Sequence, residues 1–193
     1  MQLRTRALAA LTAFGGAMLL PMAAQASDDF GYTYAEARYL SIDPERGGDA
    51  DGLTAIGWYR LNERFFVTGQ YIGVDLDNGT DAKTFALGGG LIQSINEHWD
   101  AVLMTSFRHV ELDTGPRSAS DDGYAAQLGI RGMPIPKFET RAFVNYVNVN
   151  EGETSFFLSG DYSFSPALAA GIAAEFGENA DTFSIGIRYA FGN

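Results

Sequence analysis

Along most of the chain every second residue is apolar for about ten positions, and the pattern is then broken by a few polar residues rich in Gly, Asn, Asp or Pro. Tyr124, Ala126, Leu128 and Ile130 make one such apolar row, and Phe183, Ile185, Ile187, Tyr189 and Phe191 make another. Successive side chains of a strand point to opposite faces, so each run predicts a strand with one oily face and one mixed face. Ten runs are found, at residues 30–41, 53–61, 65–74, 83–92, 99–110, 124–132, 138–147, 154–164, 167–176 and 182–191. Predicted lengths of 9 to 12 residues suit a tilted membrane strand of about 9–11 residues and exceed the soluble mode of about 5–6. No helical periodicity competes.

The interruptions predict two sorts of connection in alternation. "DPERGGDAD" from Asp43, "DLDNGTD" from Asp75, "ELDTGPRSASDD" from Glu111, "NVNEGE" from Asn148 and "GENAD" from Gly177 read as long acidic loops. Asn62-Glu63-Arg64, the stretch 94–98, the stretch 134–137 and Ser165-Pro166 read as short turns. Long loops on one rim and short turns on the other are the asymmetry of bacterial outer-membrane barrels.

Alternation alone also fits a soluble β-sandwich or a lipocalin-like binder. The composition of the faces separates them. A soluble sheet carries Lys, Glu and Thr on its wet side, whereas the mixed faces here read Ala169, Gly171, Ala173, Glu175 and Thr182, Ser184, Gly186, Arg188. The oily faces gather aromatics near strand ends, at Phe65, Trp99, Phe107, Tyr124, Phe138, Tyr146, Tyr162, Phe164 and Tyr189, as membrane girdles require. Trp58, Phe66, Phe143 and Phe157 take the other parity and are predicted to fill the lumen. The expected fold is therefore an all-β, closed, antiparallel transmembrane barrel, an up-and-down meander of about ten strands with eight as the alternative count.

On the inward parity stand Arg38, Arg60, Arg108, Arg131, Arg141 and Arg188 with Glu36, Glu139, Asp161 and Glu175. Arginine on the lipid face costs roughly 2–4 kcal/mol at the midplane, so these residues are predicted to form a lumenal charge cluster. Desolvated bidentate pairs favour Arg over Lys, and the plain expectation is that the cluster is structural filling. An eight-stranded barrel is just filled by its side chains while aqueous pores appear at about 16–18 strands, so a wide porin is not expected from ten.

Residues 1–26 have the layout of an export signal: Arg4 and Arg6, an uncharged apolar stretch over 7–20, and the small-x-small site Ala24-Gln25-Ala26. The stretch falls short of the about 20 residues that a spanning helix needs. The expected domains are thus a cleaved signal, 1–26, and an outer-membrane barrel, 27–193. The whole chain has a formal net charge of −11, and losing Arg4 and Arg6 makes it more acidic still. Nucleic acid is not an expected partner, since phosphate binding needs a basic patch. There is no cysteine, so burial and hydrogen bonding alone must hold the exported domain.

Three stretches, "DDGYAAQLGIRGMPIPKFETRAFVNY" from Asp121, "WYRLNERFFVTGQYIGV" from Trp58 and the final "FSIGIRYAF", resemble the small outer-membrane β-barrel proteins of Gram-negative bacteria, porin-like and OmpA-like. The resemblance implies one barrel in the outer membrane and carries over no catalytic residues. It also implies an aromatic terminal residue; here Phe191 is followed by Gly192 and Asn193.

Catalysis is not expected. His98 lies in a predicted periplasmic turn, and His109 with Glu111 and Asp113 sits on the outward parity at the outer rim. Asp75, Asp77, Asn78 and Asp81 supply oxygens suited to calcium, but Gly79 is misplaced for an EF-hand loop. No catalytic, cofactor or metal residues are assigned. The expected role is structural or surface-interacting through acidic loops, with a narrow small-solute channel as the alternative. Expected partners are outer-membrane lipid and lipopolysaccharide, with divalent cations at the acidic loops, around a monomer.

Overall fold

The computed structural model describes residues 31–44, 49–76, 79–115, 118–149 and 151–191. The export signal at 1–26, residues 27–30, Arg46, Asp77, Asn78, Arg117, Gly192 and Asn193 lie outside the described residues. Ten strands follow in order: β1 (Tyr34–Pro44), β2 (Ala50–Arg60), β3 (Phe65–Leu76), β4 (Thr80–Asn96), β5 (Trp99–Asp113), β6 (Ser118–Ile135), β7 (Phe138–Val149), β8 (Glu151–Ser163), β9 (Leu168–Gly177) and β10 (Ala180–Ala190). Each pairs antiparallel with its sequence neighbours, and β1 pairs with β10, so the sheet closes as a ten-stranded meander. Closure removes every free strand edge, the condition for β-structure in lipid. Strand number, order and face parity agree with the sequence expectations.

The expected short turns agree as well, but four of the five expected long loops do not. "DLDNGTD" and "ELDTGPRSASDD" were expected as loops, yet Asp75 pairs with Asp81 and Leu76 with Thr80, while Glu111 pairs with Ser120 and Asp113 with Ser118. Val149 likewise pairs with Glu151 and Phe176 with Asp181. The β3–β4, β5–β6, β7–β8 and β9–β10 connections are therefore short, while the β1–β2 ladder ends at Ile42 and Ala50 and residues 45–48 between them lie outside the described residues. The strands run from 10 to 18 residues, beyond the expected 9 to 12. The reason is that an acidic stretch reports wet side chains, not the end of a ladder; backbone donors and acceptors above the lipid still pair across a hairpin. Gly79 at φ 77° and Gly115 at φ 81° supply the left-handed positions these turns need.

Outward side chains settle the surroundings of the barrel. Leu87 is 71% exposed, Ile172 67% and Ile185 62%, and they belong to a continuous apolar belt. Tyr39, Tyr71, Phe85, Phe107, Tyr124 and Tyr146 border it on one side, Tyr59, Phe65, Tyr162 and Tyr189 on the other. An apolar patch of that extent is not stable against water; bracketed by aromatics it fits a hydrocarbon band with two interfaces.

Inside, the aromatics of opposite parity do fill the lumen. Trp58 stacks on Phe66 at 4.2 Å and 6° between planes, and Tyr34 stacks on Trp58 at 5.7 Å. Phe143 is buried and Phe157 packs against the same core with Ile92 and Val102. Tyr34, Trp58, Phe66, Ile92 and Val102 place this block on β1–β5 near the rim where β1 begins and β10 ends, and Phe143 and Phe157 extend it to β7 and β8.

Candidate functional site: a charged layer across the lumen

Against the aromatic block, on strands β1, β6, β7, β8 and β10, lies a layer of charge. Inward parity puts Glu36 and Arg38 on β1, Arg131 on β6, Glu139 and Arg141 on β7, Asp161 on β8 and Arg188 on β10 in the lumen, and strand register brings them to one level. Registers Glu36↔Arg188, Arg131↔Arg141 and Glu139↔Asp161 set them side by side. All seven are buried. Small residues make the room: a Cβ on Gly171 would strike Asp161 and the Gly160 carbonyl, and one on Gly186 would strike Arg38.

Arg188 is the hub. Its Nε donates to Glu36 Oε2 at 2.8 Å, its Nη1 to Glu139 Oε1 at 2.8 Å and its Nη2 to Asp161 Oδ2 at 3.3 Å. Arg141 donates to Asp161 at 3.0 Å, to Glu36 at 3.2 Å and to Ser159 Oγ at 2.9 Å. Arg38 donates to Asp161 at 2.6 Å and also pairs with Glu36. Arg131 donates to Glu139 at 2.7 Å and to the Gly31 carbonyl at 3.0 Å. Guanidinium faces meet tyrosine rings, Arg131 over Tyr32 at 4.2 Å and Arg188 over Tyr34 at 4.5 Å. Planar cations thus join the carboxylate side of the lumen to its aromatic side, a use for which lysine is unsuited.

Three of the ten residues expected in the cluster stand apart. Arg60 lies at the mouth nearest the chain ends, where its Nε donates to the Asn62 carbonyl at 3.1 Å. Glu175 lies higher, receiving Asn145 Nδ2 at 2.8 Å and the Ser155 hydroxyl, with Arg108 half-buried near it. One member was missed: Asp100 on β5, fully buried, accepts the Tyr32 hydroxyl at 2.8 Å and lies opposite Arg131 in register. Its inward parity with Arg108 was legible; its place next to a turn masked it.

The layer divides two cavities. One of about 370 Å³ opens on the rim of the chain ends and touches Arg131, Glu139 and Arg188. The other, of about 200 Å³, lies on the far side and touches Glu36, Arg38, Arg141 and Glu175. The ion pairs at 2.6–3.3 Å stand between them.

At the opposite rim a row of outward aspartates circles part of the barrel. Asp181 pairs in register with Asp43, and Asp51 with Asp75, Asp75 with Asp81 and Asp81 with Asp113. Directly opposed like charges destabilise a sheet. Among the described residues no group of three or more His, Asp or Glu is disposed to enclose a metal ion. His109, two residues beyond the girdle residue Phe107 and so outside the hydrocarbon band, has Nδ1 at 2.7 Å from Asp122 and Nε2 at 3.3 Å from Glu111. The Asp122 carboxylate, and after it Glu111, raise its pKa above the ordinary imidazole value.

No family model matches the sequence, and no curated protein matches it. Solved structures do. The chain is similar to an outer membrane channel from Pseudomonas putida F1, with TM-score 0.52 and 10% identity over 89% of this chain and 100% of that one. It is similar to the β domain of the Bordetella autotransporter BrkA, with TM-score 0.51 and 11% identity over 83% and 100%. A further likeness is to the KdgM porin, with TM-score 0.47 and 9% identity over 81% and 99%.

Proposed function

We propose that the chain is a small outer-membrane β-barrel that serves as a closed structural platform whose acidic outer rim meets the lipopolysaccharide layer. The charged layer carries this reading. Seven buried side chains joined by direct ion pairs fill the section between the two cavities, and the aromatic block fills the rest. Separating buried pairs leaves uncompensated charge in a low dielectric, at roughly 3–5 kcal/mol for each partner removed. Planar-bilayer recording at neutral pH is expected to give stable insertion without conductance steps. Reproducible single-channel steps would instead establish the second reading, a narrow solute channel, which the cavities on both sides of the layer favour.

The aspartate row supports the interaction with lipopolysaccharide. Its members are opposed in pairs rather than gathered around one point, so each carboxylate can share a divalent cation with a lipid phosphate instead of forming a closed chelate. In liposomes containing lipopolysaccharide, removal of Mg²⁺ with a chelator is expected to lower the thermal midpoint, since each unscreened like-charge pair costs about 0.2–1 kcal/mol. The Asp75→Asn/Asp81→Asn variant should lose most of that sensitivity. An equal response in the variant would remove the rim from this role. No catalytic step enters the reading, because both ring nitrogens of His109 face carboxylates.

A further inference from the structure

The cavity at the rim of the chain ends has a chemistry that the closed-platform role does not use. Its volume, about 370 Å³, lies within the about 300–1,000 Å³ of small-ligand sites. Arg131, Arg188 and Lys137 line it against one carboxylate, Glu139, with the Ser163 residue beside them. Both oxygens of Glu139 are already engaged, Oε2 by Arg131 and Oε1 by Arg188. Those guanidiniums are held in place by the Tyr32 ring, the Gly31 carbonyl and the carboxylates of the layer, and positioned, desolvated cations bind oxyanions more strongly than exposed ones.

Lys137 is the second observation. It stands at the β6–β7 turn with φ 70°, the only positive φ of a non-glycine among the described residues. Its side chain is exposed and forms no ion pair with any of the described residues. Glycine takes this backbone without strain, so a lysine at the mouth of a cationic cavity points to a use for its side chain.

We propose that this vestibule binds a phosphate group presented from the periplasmic side. The proposal rests on the outer-membrane orientation of the barrel and not on whether the lumen conducts. The phosphate lies between Lys137 and the outer edges of Arg131 and Arg188, and the ion-pair layer forms its floor. Free phosphate and the phosphate of an inner-leaflet lipid headgroup share this chemistry.

The test is calorimetric titration of the full mature protein with inorganic phosphate, in uncharged detergent and at low salt. Saturable binding near one equivalent is expected. Lys137→Ala should weaken it about fivefold to tenfold, Lys137→Arg should retain it, and Lys137→Gly should weaken it while keeping or raising the thermal midpoint, because the backbone is relaxed. Repeating the titration in nanodiscs distinguishes the sources: phosphate binding abolished by phosphatidylglycerol but not by neutral lipid assigns the site to a headgroup, and binding kept in both assigns it to the free anion. Absence of phosphate binding in wild type, or equal affinity in Lys137→Gly, overturns the proposal.

Discussion

Replacing Arg188 by alanine is expected to cost about 3–5 kcal/mol of unfolding free energy, the largest effect of any single substitution in the lumen. Arg188 donates a hydrogen bond to each of Glu36, Glu139 and Asp161, whereas Arg141 comes no nearer than 3.8 Å to Glu139. Its removal leaves three buried carboxylates sharing the remaining guanidiniums and takes the cation from the face of Tyr34. Urea unfolding in liposomes, followed by the shift between folded and unfolded gel mobilities, measures the loss. Arg188→Lys should recover only part of it, since one ammonium cannot present three separated donors in a plane. A cost below about 1 kcal/mol, the range of an exposed pair, would mean that water reaches the layer and that the lumen is not closed by it.

Arginine at Ile185 is expected to cost roughly 2–4 kcal/mol, the depth-dependent penalty for a cation on the lipid face of a barrel. Ile185 lies between Tyr39 of β1 and Ile172 of β9, in the middle of the outward belt. Its sequence neighbour Ser184 faces inward, so Ser184→Ala serves as a control with a change within about 0.5 kcal/mol. Folding yield into liposomes and urea midpoints report both variants. Were Ile185→Arg as well tolerated as a surface substitution, the belt would be facing water and the membrane reading would fall.

The contrast between Ile185 and Arg188, three positions apart on one strand, explains how much of the molecule could be read from the chain. A strand has a side-chain period of two, so parity by itself assigns Ile185 to the outside and Arg188 to the inside. The same rule located Trp58, Phe66 and Phe143 in the lumen, where burial confirms them. Parity carries no information about height along the barrel axis. Arg60 and Arg131 share the inward face, yet one lies at the mouth and the other inside the layer.

The amino-acid sequence by itself determined the class of fold, a strand count of about ten with eight left open, and the face that residues within the strands occupy, because alternation is a local property of extended backbone and lipid tolerates no other arrangement of its oily side. Only the tertiary structure decided which arginine meets which carboxylate, that Asp100 and Tyr32 join them, and that the acidic stretches continue the ladders. Those outcomes depend on strand register and closure. Glu36 and Arg188 stand 152 positions apart in the chain and become neighbours only when the last strand pairs with the first, a contact that no local pattern records.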